Sequence, residues 1–182
     1  MTDLEQRVER LEAVDHIRQL LAAYCFAVDD RDTASLSELF TRDGCFRSAD
    51  GVLDARGRDA VVEQFRGRFS VLGPSNHVTH DRLLRFSPTE PGVAYGKVNA
   101  HAEVVRNGIT LVTALRYQDT YRYEEGHWRF ADRLLSFLYY LPATSYAQAL
   151  AAGPRMQVYE QPGDADWPEK LPSWQAYYSQ DD

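Results

Sequence analysis

The sequence predicts an α+β fold in which three N-terminal helices pack on one face of a curved antiparallel β-sheet. Three observations predict it. Apolar residues recur at three- and four-residue steps from Leu4 to Val28, and again from Val61 to Phe69. From His77 onward the chain changes to long runs rich in β-branched and aromatic residues, the signature of strands. Asn107-Gly108 and Glu125-Gly126 interrupt those runs as hairpin turns. Helices followed by a four-stranded meander form one layer of each. A curled sheet roofed by helices encloses a cone whose mouth can hold a small molecule.

Taken in order, Thr2 caps the first helix, and Glu5 completes a capping box. Leu4, Val8, Leu11, Val14, Ile17, Leu20, Leu21, Tyr24 and Val28 form its apolar stripe. Its first turns are heavily charged outside that stripe, which leaves them free to project toward a neighbouring subunit. The helix stops at a cluster of acids, Asp29, Asp30 and Asp32. A second helix covers Thr33 to Phe40, Asp43-Gly44 turns the chain into a short strand at Cys45 to Ser48, and Asp50-Gly51 marks a hairpin before Val52 to Ala55. A third helix runs from Gly57 to Phe69 and closes at the Leu72-Gly73-Pro74 breaker. Strands follow at His77 to Phe86, Val93 to Arg106, Ile109 to Tyr123, and Trp128 to about Tyr139. These make one domain, residues 1–140. Residues 141–182 hold five of the eight prolines together with Trp167, Trp174, Tyr177 and Tyr178. They read as an arm, with a short helix at Thr144 to Ala152, that packs on the body or on a neighbouring subunit.

Composition narrows the function. A 182-residue chain that is 44% hydrophobic can bury a real core. Its net charge of −7 and the absence of Lys/Arg runs argue against a nucleic-acid surface. No apolar run approaches the ~20 residues of a membrane span, and the N-terminus lacks a signal core. Two cysteines, Cys25 and Cys45, are too few for a disulfide framework and read as free, buried thiols of a cytoplasmic protein. There is no nucleophile elbow, P-loop, dinucleotide fingerprint or reactive CxxC. His16, His80, His101 and His127 fall at no ligand spacing with His77, so no metal site and no cofactor is expected.

Proton chemistry on a small ligand remains. Asp29 ends the first helix and His77 opens the first long strand, and in such a cone both face one cavity. A carboxylate against an imidazole fixes its tautomer and raises its basicity, which makes a general base. The plain alternative is a solvated helix-end acid and an unrelated strand-edge histidine. Asp30 and Asp32 read as an acidic face and the cap of the second helix. His101 shares strand parity with Lys97, Asn99 and Glu103, a polar face that lines the cavity or meets solvent. Tyr24, Phe26, Phe40 and Phe46 read as core, with Tyr24 and Phe46 near the pocket rim.

The segments AAYCFAVDDRDTASLSELFTRDGCF, GRDAVVEQF, SNHVTHD and LRYQDTYRYEEGHWRFADR, in that order, resemble the SnoaL-like branch of the NTF2-like superfamily over roughly residues 10–138. That group contains polyketide cyclases, scytalone dehydratase, the lindane dehydrochlorinase and ketosteroid isomerase. The resemblance implies an NTF2-like cone, a dimer or trimer, and an acid–histidine pair at Asp29 and His77. It also marks a departure: where the dehydratase has two tyrosines that hold a water, this chain has Val28 and Phe46. The expectation is a cofactor-independent lyase, cyclase or isomerase acting on a small, largely apolar cyclic or polyketide-like substrate. Asp29 and His77 would be catalytic, with Tyr24, Phe46, His101 and Tyr117 around the substrate. Two alternatives stand beside it. One is a non-catalytic ligand-binding or assembly module, like the β subunit of ring-hydroxylating dioxygenases. The other is a limonene-type epoxide hydrolase, for which Arg116 and Asp119 are the only hints.

Overall fold

In the computed structural model, which describes residues 2–151 and 153–179, helix α1 (Asp3–Asp29) begins on the expected capping box. Thr2 Oγ1 accepts from the Glu5 amide at 3.3 Å, and the Glu5 carboxylate accepts from the Thr2 amide at 2.6 Å. The apolar stripe turns inward only from Ala13, so Leu4, Val8 and Leu11 stay exposed. Phe26, expected in the core, is 69% exposed. It lies two residues beyond buried Tyr24, on the other side of a helix with 3.6 residues per turn.

Helix α2 (Thr33–Glu38) is capped by Asp32, which accepts from the Ser35 amide at 2.9 Å. It ends before Phe40, which instead opens strand β1 (Phe40–Ser48). The early part of β1 is irregular around Gly44, where a side chain would meet the Thr41 and Phe130 carbonyls at 2.9 Å. Strand β2 (Asp54–Arg56) and helix α3 (Arg58–Phe69) follow. Strand β3 (Leu72–Phe86) starts well before His77 and runs through Gly73-Pro74. Pro74 is tolerated because β3 lies at the sheet edge, where a missing N–H can face outward. Strands β4 (Val93–Arg106), β5 (Ile109–Glu124) and β6 (His127–Pro142) complete the sheet. Asn107-Gly108 and Glu125-Gly126 both have two successive positive φ angles (51° and 78°; 52° and 83°), as right-twisted hairpins require.

The sheet has six strands in the order β2-β1-β6-β5-β4-β3. The four-stranded meander is present within it, but β1 adds to β6 in parallel, with Phe46 beside Arg133. Between helices and sheet lies an aromatic core. Tyr24 touches Phe46, Phe65, Tyr117 and Phe130 at ring separations of 5.8–6.3 Å. Each such ring contributes about 1.5–3 kcal/mol by leaving water. Cys25 is buried, Cys45 half-buried, and both are free thiols.

After β6 comes a 3-10 turn at Ala143–Gln148 rather than an α-helix; Ala152, where the expected helix ends, lies outside the described residues. The chain then folds back on its own body. Tyr140 is bonded on both sides, to the Arg155 carbonyl at 2.9 Å and the Gln157 amide at 2.8 Å, and Met156 is buried against the core. Trp167 Nε1 donates to the Ser136 carbonyl at 3.2 Å, and its ring carries the Arg116 guanidinium at 3.6 Å. A short helix α4 (Pro172–Tyr178), absent from the sequence reading, ends the described chain. Among the described residues, no helix is long and apolar enough to cross a membrane.

Candidate active site

The end of α1 and the start of β3 meet. Asp29 Oδ1 lies 2.6 Å from His77 Nδ1, and Asp29 Oδ2 accepts from the His77 backbone amide at 2.7 Å. Ser75 adds a third bond, donating to Oδ1 at 2.8 Å. Burial pushes the Asp29 carboxyl up, but the bonds from the His77 ring, the His77 amide and Ser75 outweigh it and hold it below the ordinary carboxylate range. Asp29 is therefore an anion that accepts from Nδ1–H. That assigns the tautomer and leaves Nε2 as the basic nitrogen, with no partner among the described residues.

Arg31 organises this junction, and the sequence reading missed it. It sits at φ 63°, a left-handed conformation that is costly for a side-chain-bearing residue and clusters at functional sites. Its guanidinium donates to the Val28 carbonyl at 2.6 Å, to Ser75 Oγ at 2.9 Å and to the Gly73 carbonyl, and it lies 4.4 Å from the Phe69 ring. It thus ties the end of α1 to the strand that carries His77. The irregular Asp29–Asp32 stretch hinted at a functional turn, but nothing in it singled out Arg31 as the clamp.

His77 lines a hollow inside the cone together with Tyr24, Phe46, Tyr117, Arg68 and Tyr140. Its volume is about 30 Å³, room for one water, because side chains fill most of the cone. Tyr24 and Phe46 are 2% and 1% exposed, so they are inner walls rather than rim. Neither the Tyr24 nor the Tyr117 hydroxyl has a bond within the described chain. Burial raises both, Tyr117 to about 12, so they remain protonated donors at neutral pH. His101 is a correction: it stands on the outer, exposed face of β4, with Nδ1 2.8 Å from His80 Nε2, while Ala102 and Val104 point into the hollow. A larger trough of about 600 Å³ lies open between α1 and the β5–β6 turn. His16 and His127 line it together with Arg129 and Glu38, 3.7 Å apart, but among the described residues neither histidine ring has a carboxylate partner to orient it.

Beneath the hollow lies the other feature that sequence reasoning missed. Arg133 is wholly buried, 3.6 Å from the Tyr117 ring, 4.1 Å from Tyr24 and 4.3 Å from Phe130. Its Nε is 3.3 Å from Asp119 Oδ1, an ion contact without hydrogen-bond geometry. Burial raises Asp119 to about 6 against the pull of Arg133 and the Tyr121 hydroxyl. Arg116 and Asp119 are on opposite faces of β5, so the arrangement expected of an epoxide hydrolase does not form. Among the described residues, no cluster of three His, Cys, Asp or Glu could hold a metal.

The SnoaL-like domain family matches residues 9–134, well over half of the chain. The chain belongs to that family. No curated protein matches its sequence. Solved structures share the fold. LinA, named in a second structure as a hexachlorocyclohexane dehydrochlorinase, is 19% identical with a TM-score of 0.68, over 75% of this chain and 92% of its own. Rv3472 of Mycobacterium tuberculosis, of unknown function, is 25% identical with a TM-score of 0.63, over 75% and 76%. A candidate scytalone dehydratase from Novosphingobium aromaticivorans is 21% identical with a TM-score of 0.64, over 70% and 85%.

Proposed function

We propose that this SnoaL-like protein is a cofactor-independent lyase, cyclase or isomerase. His77 takes a proton from the substrate and Asp29 orients it. The observation that carries the reading is the 2.6 Å contact between Asp29 and His77 Nδ1, on an imidazole that lines an apolar hollow with its Nε2 free. Such a base supplies ~10²–10⁴-fold. Tyr24 and Tyr117 hold two unpaired, protonated hydroxyls in the same hollow, suited to an oxygen on which charge develops. The dehydrochlorinase and dehydratase names among the structural neighbours agree with proton abstraction followed by loss of a leaving group. A small cyclic or polyketide-like substrate, a dimeric or trimeric assembly and a cytoplasmic setting belong to the same proposal.

Proton exchange tests it without knowledge of the natural substrate. A panel of small cyclic ketones in D₂O, followed by NMR, should show enzyme-dependent replacement of α-hydrogen by deuterium. His77→Gln should abolish it. Exchange at the same rate in His77→Gln, or none with any ketone in the wild type, overturns the reading.

A second reading, a ligand-binding or assembly module, draws support from one observation: the hollow holds only about 30 Å³. A substrate must therefore displace side chains such as Phe69 and Leu72 to enter. The assembly reading gives no exchange and a stable complex with a second protein.

A further inference from the structure

Helix α3 points a half-buried cation at the hollow and leaves its Nε without a partner. Arg68 lines the cavity with Phe69, Leu72, His77 and Tyr140. Its Nε is shut away from solvent with no hydrogen-bond partner, and so is Nε2 of Gln64, one turn earlier on the same face. Among the described residues Arg68 makes no ion pair, in a chain with 27 acidic residues and a net charge of −7. Its nearest aromatic contact, the Phe65 ring at 5.8 Å, is marginal. An unmade bond at a buried donor costs ~1–3 kcal/mol, more for a charged group, and a leucine or methionine here would avoid that cost. The charge also reaches across the hollow: it pulls down the hydroxyls of Tyr24, Tyr117 and Tyr140 against the upward push of burial.

We propose that Arg68 is the substrate-selecting group of this cavity and that it binds a carboxylate, so that the substrate is a cyclic carboxylic acid rather than a neutral hydrocarbon or halocarbon. A guanidinium matches a carboxylate with two parallel N–H bonds, and an apolar setting strengthens them. An acid held there lies beside the His77 ring, in reach of Tyr24 and Tyr117. The inference rests on the cavity being the substrate site but not on His77 being a base.

Benzoate and its neutral isostere benzamide are the probes, titrated into the wild-type protein and followed by NMR shifts. Benzoate should bind at millimolar concentration at least ~10-fold more tightly than benzamide, a difference of about 1.4 kcal/mol. Arg68→Met should erase that preference while leaving the melting temperature unchanged or higher, because it removes an unpaired buried donor; Arg68→Lys should keep part of the preference. His77→Gln should still prefer benzoate even where deuterium exchange is lost, which separates failure of the base from failure of this site. Equal binding of the two probes by the wild type, no binding of benzoate, or an unchanged preference in Arg68→Met overturns the proposal.

Discussion

Asp29 holds His77 at two points at once, with one oxygen on the ring Nδ1 at 2.6 Å and the other on the backbone amide at 2.7 Å. A single carboxylate thereby fixes the tautomer of the imidazole and the position of the strand that carries it. An asparagine has only one acceptor, and its NH₂ would face a donor. Asp29→Asn should therefore slow ketone exchange by about 10²-fold or more and cost about 1–3 kcal/mol of stability. The pH dependence follows from the depressed carboxyl. The folded value lies below the unfolded ~3.9, so its contribution is complete above that value and is lost as pH falls through the folded one. Urea melts should show the wild-type advantage over Asp29→Asn constant near neutrality and shrinking below about pH 4. A difference that stays flat into strong acid would contradict the pairing.

The two tyrosines make a sharper test of the hollow. Neither hydroxyl has a partner within the described chain, so removing either forfeits no internal bond. Tyr24→Phe and Tyr117→Phe should each stay within about 0.5 kcal/mol of wild-type stability. Exchange should nonetheless fall by ~10-fold or more if the hydroxyls stabilise developing oxyanion charge. A stability loss without an exchange defect would make them packing residues only.

Much of this was legible in the sequence, for identifiable reasons. The start of α1, strand β4 and both hairpin turns follow from local rules: a capping box, alternation, and Asn-Gly or Glu-Gly at left-handed positions. Whether Asp29 reaches His77 is a tertiary fact: their places at a helix end and a strand start suggested it, and the family resemblance strengthened it. Arg133 escaped because of one irregularity. Register counted back from the Glu125-Gly126 turn sets Asp119 opposite Asp132, but a shift between Thr120 and Tyr121 brings Arg133 there instead. A one-residue slip exchanges the faces of a strand, and no local pattern announces it. The parallel addition of β1 to β6 is invisible for the same reason: nothing in either strand names its partner.

The Arg133–Asp119 pair should behave as a unit. Arg133→Met leaves a buried carboxylate and Asp119→Leu a buried guanidinium, and each should cost about 3–5 kcal/mol. The double variant should recover most of that loss, because neither charge is then stranded. The pair also sets a pH slope. Asp119 is raised to about 6 when folded, above its unfolded value near 3.9, so stability should fall as pH rises between the two and level off above. The double variant should lose that slope. Additive single costs in a denaturant-melt cycle would show that the two charges are not coupled.

Gly96 is where this buried network meets the sheet. It sits opposite Asp119 on β4, and a side-chain carbon there would lie 2.7 Å from Cε2 and from the hydroxyl of Tyr121. That ring cannot swing away. It is 0% exposed, packs 5.7 Å from Phe130, and donates to Asp119 at 2.7 Å. Gly96→Ala should therefore destabilise by about 1–3 kcal/mol through overpacking, although alanine suits a strand better than glycine. Shortening the ring should relieve the clash, so adding Tyr121→Leu to Gly96→Ala should cost less than the sum of the two single changes. Thermal melts of the three variants decide it. A Gly96→Ala protein as stable as wild type would mean that Tyr121 and Asp119 have room to move.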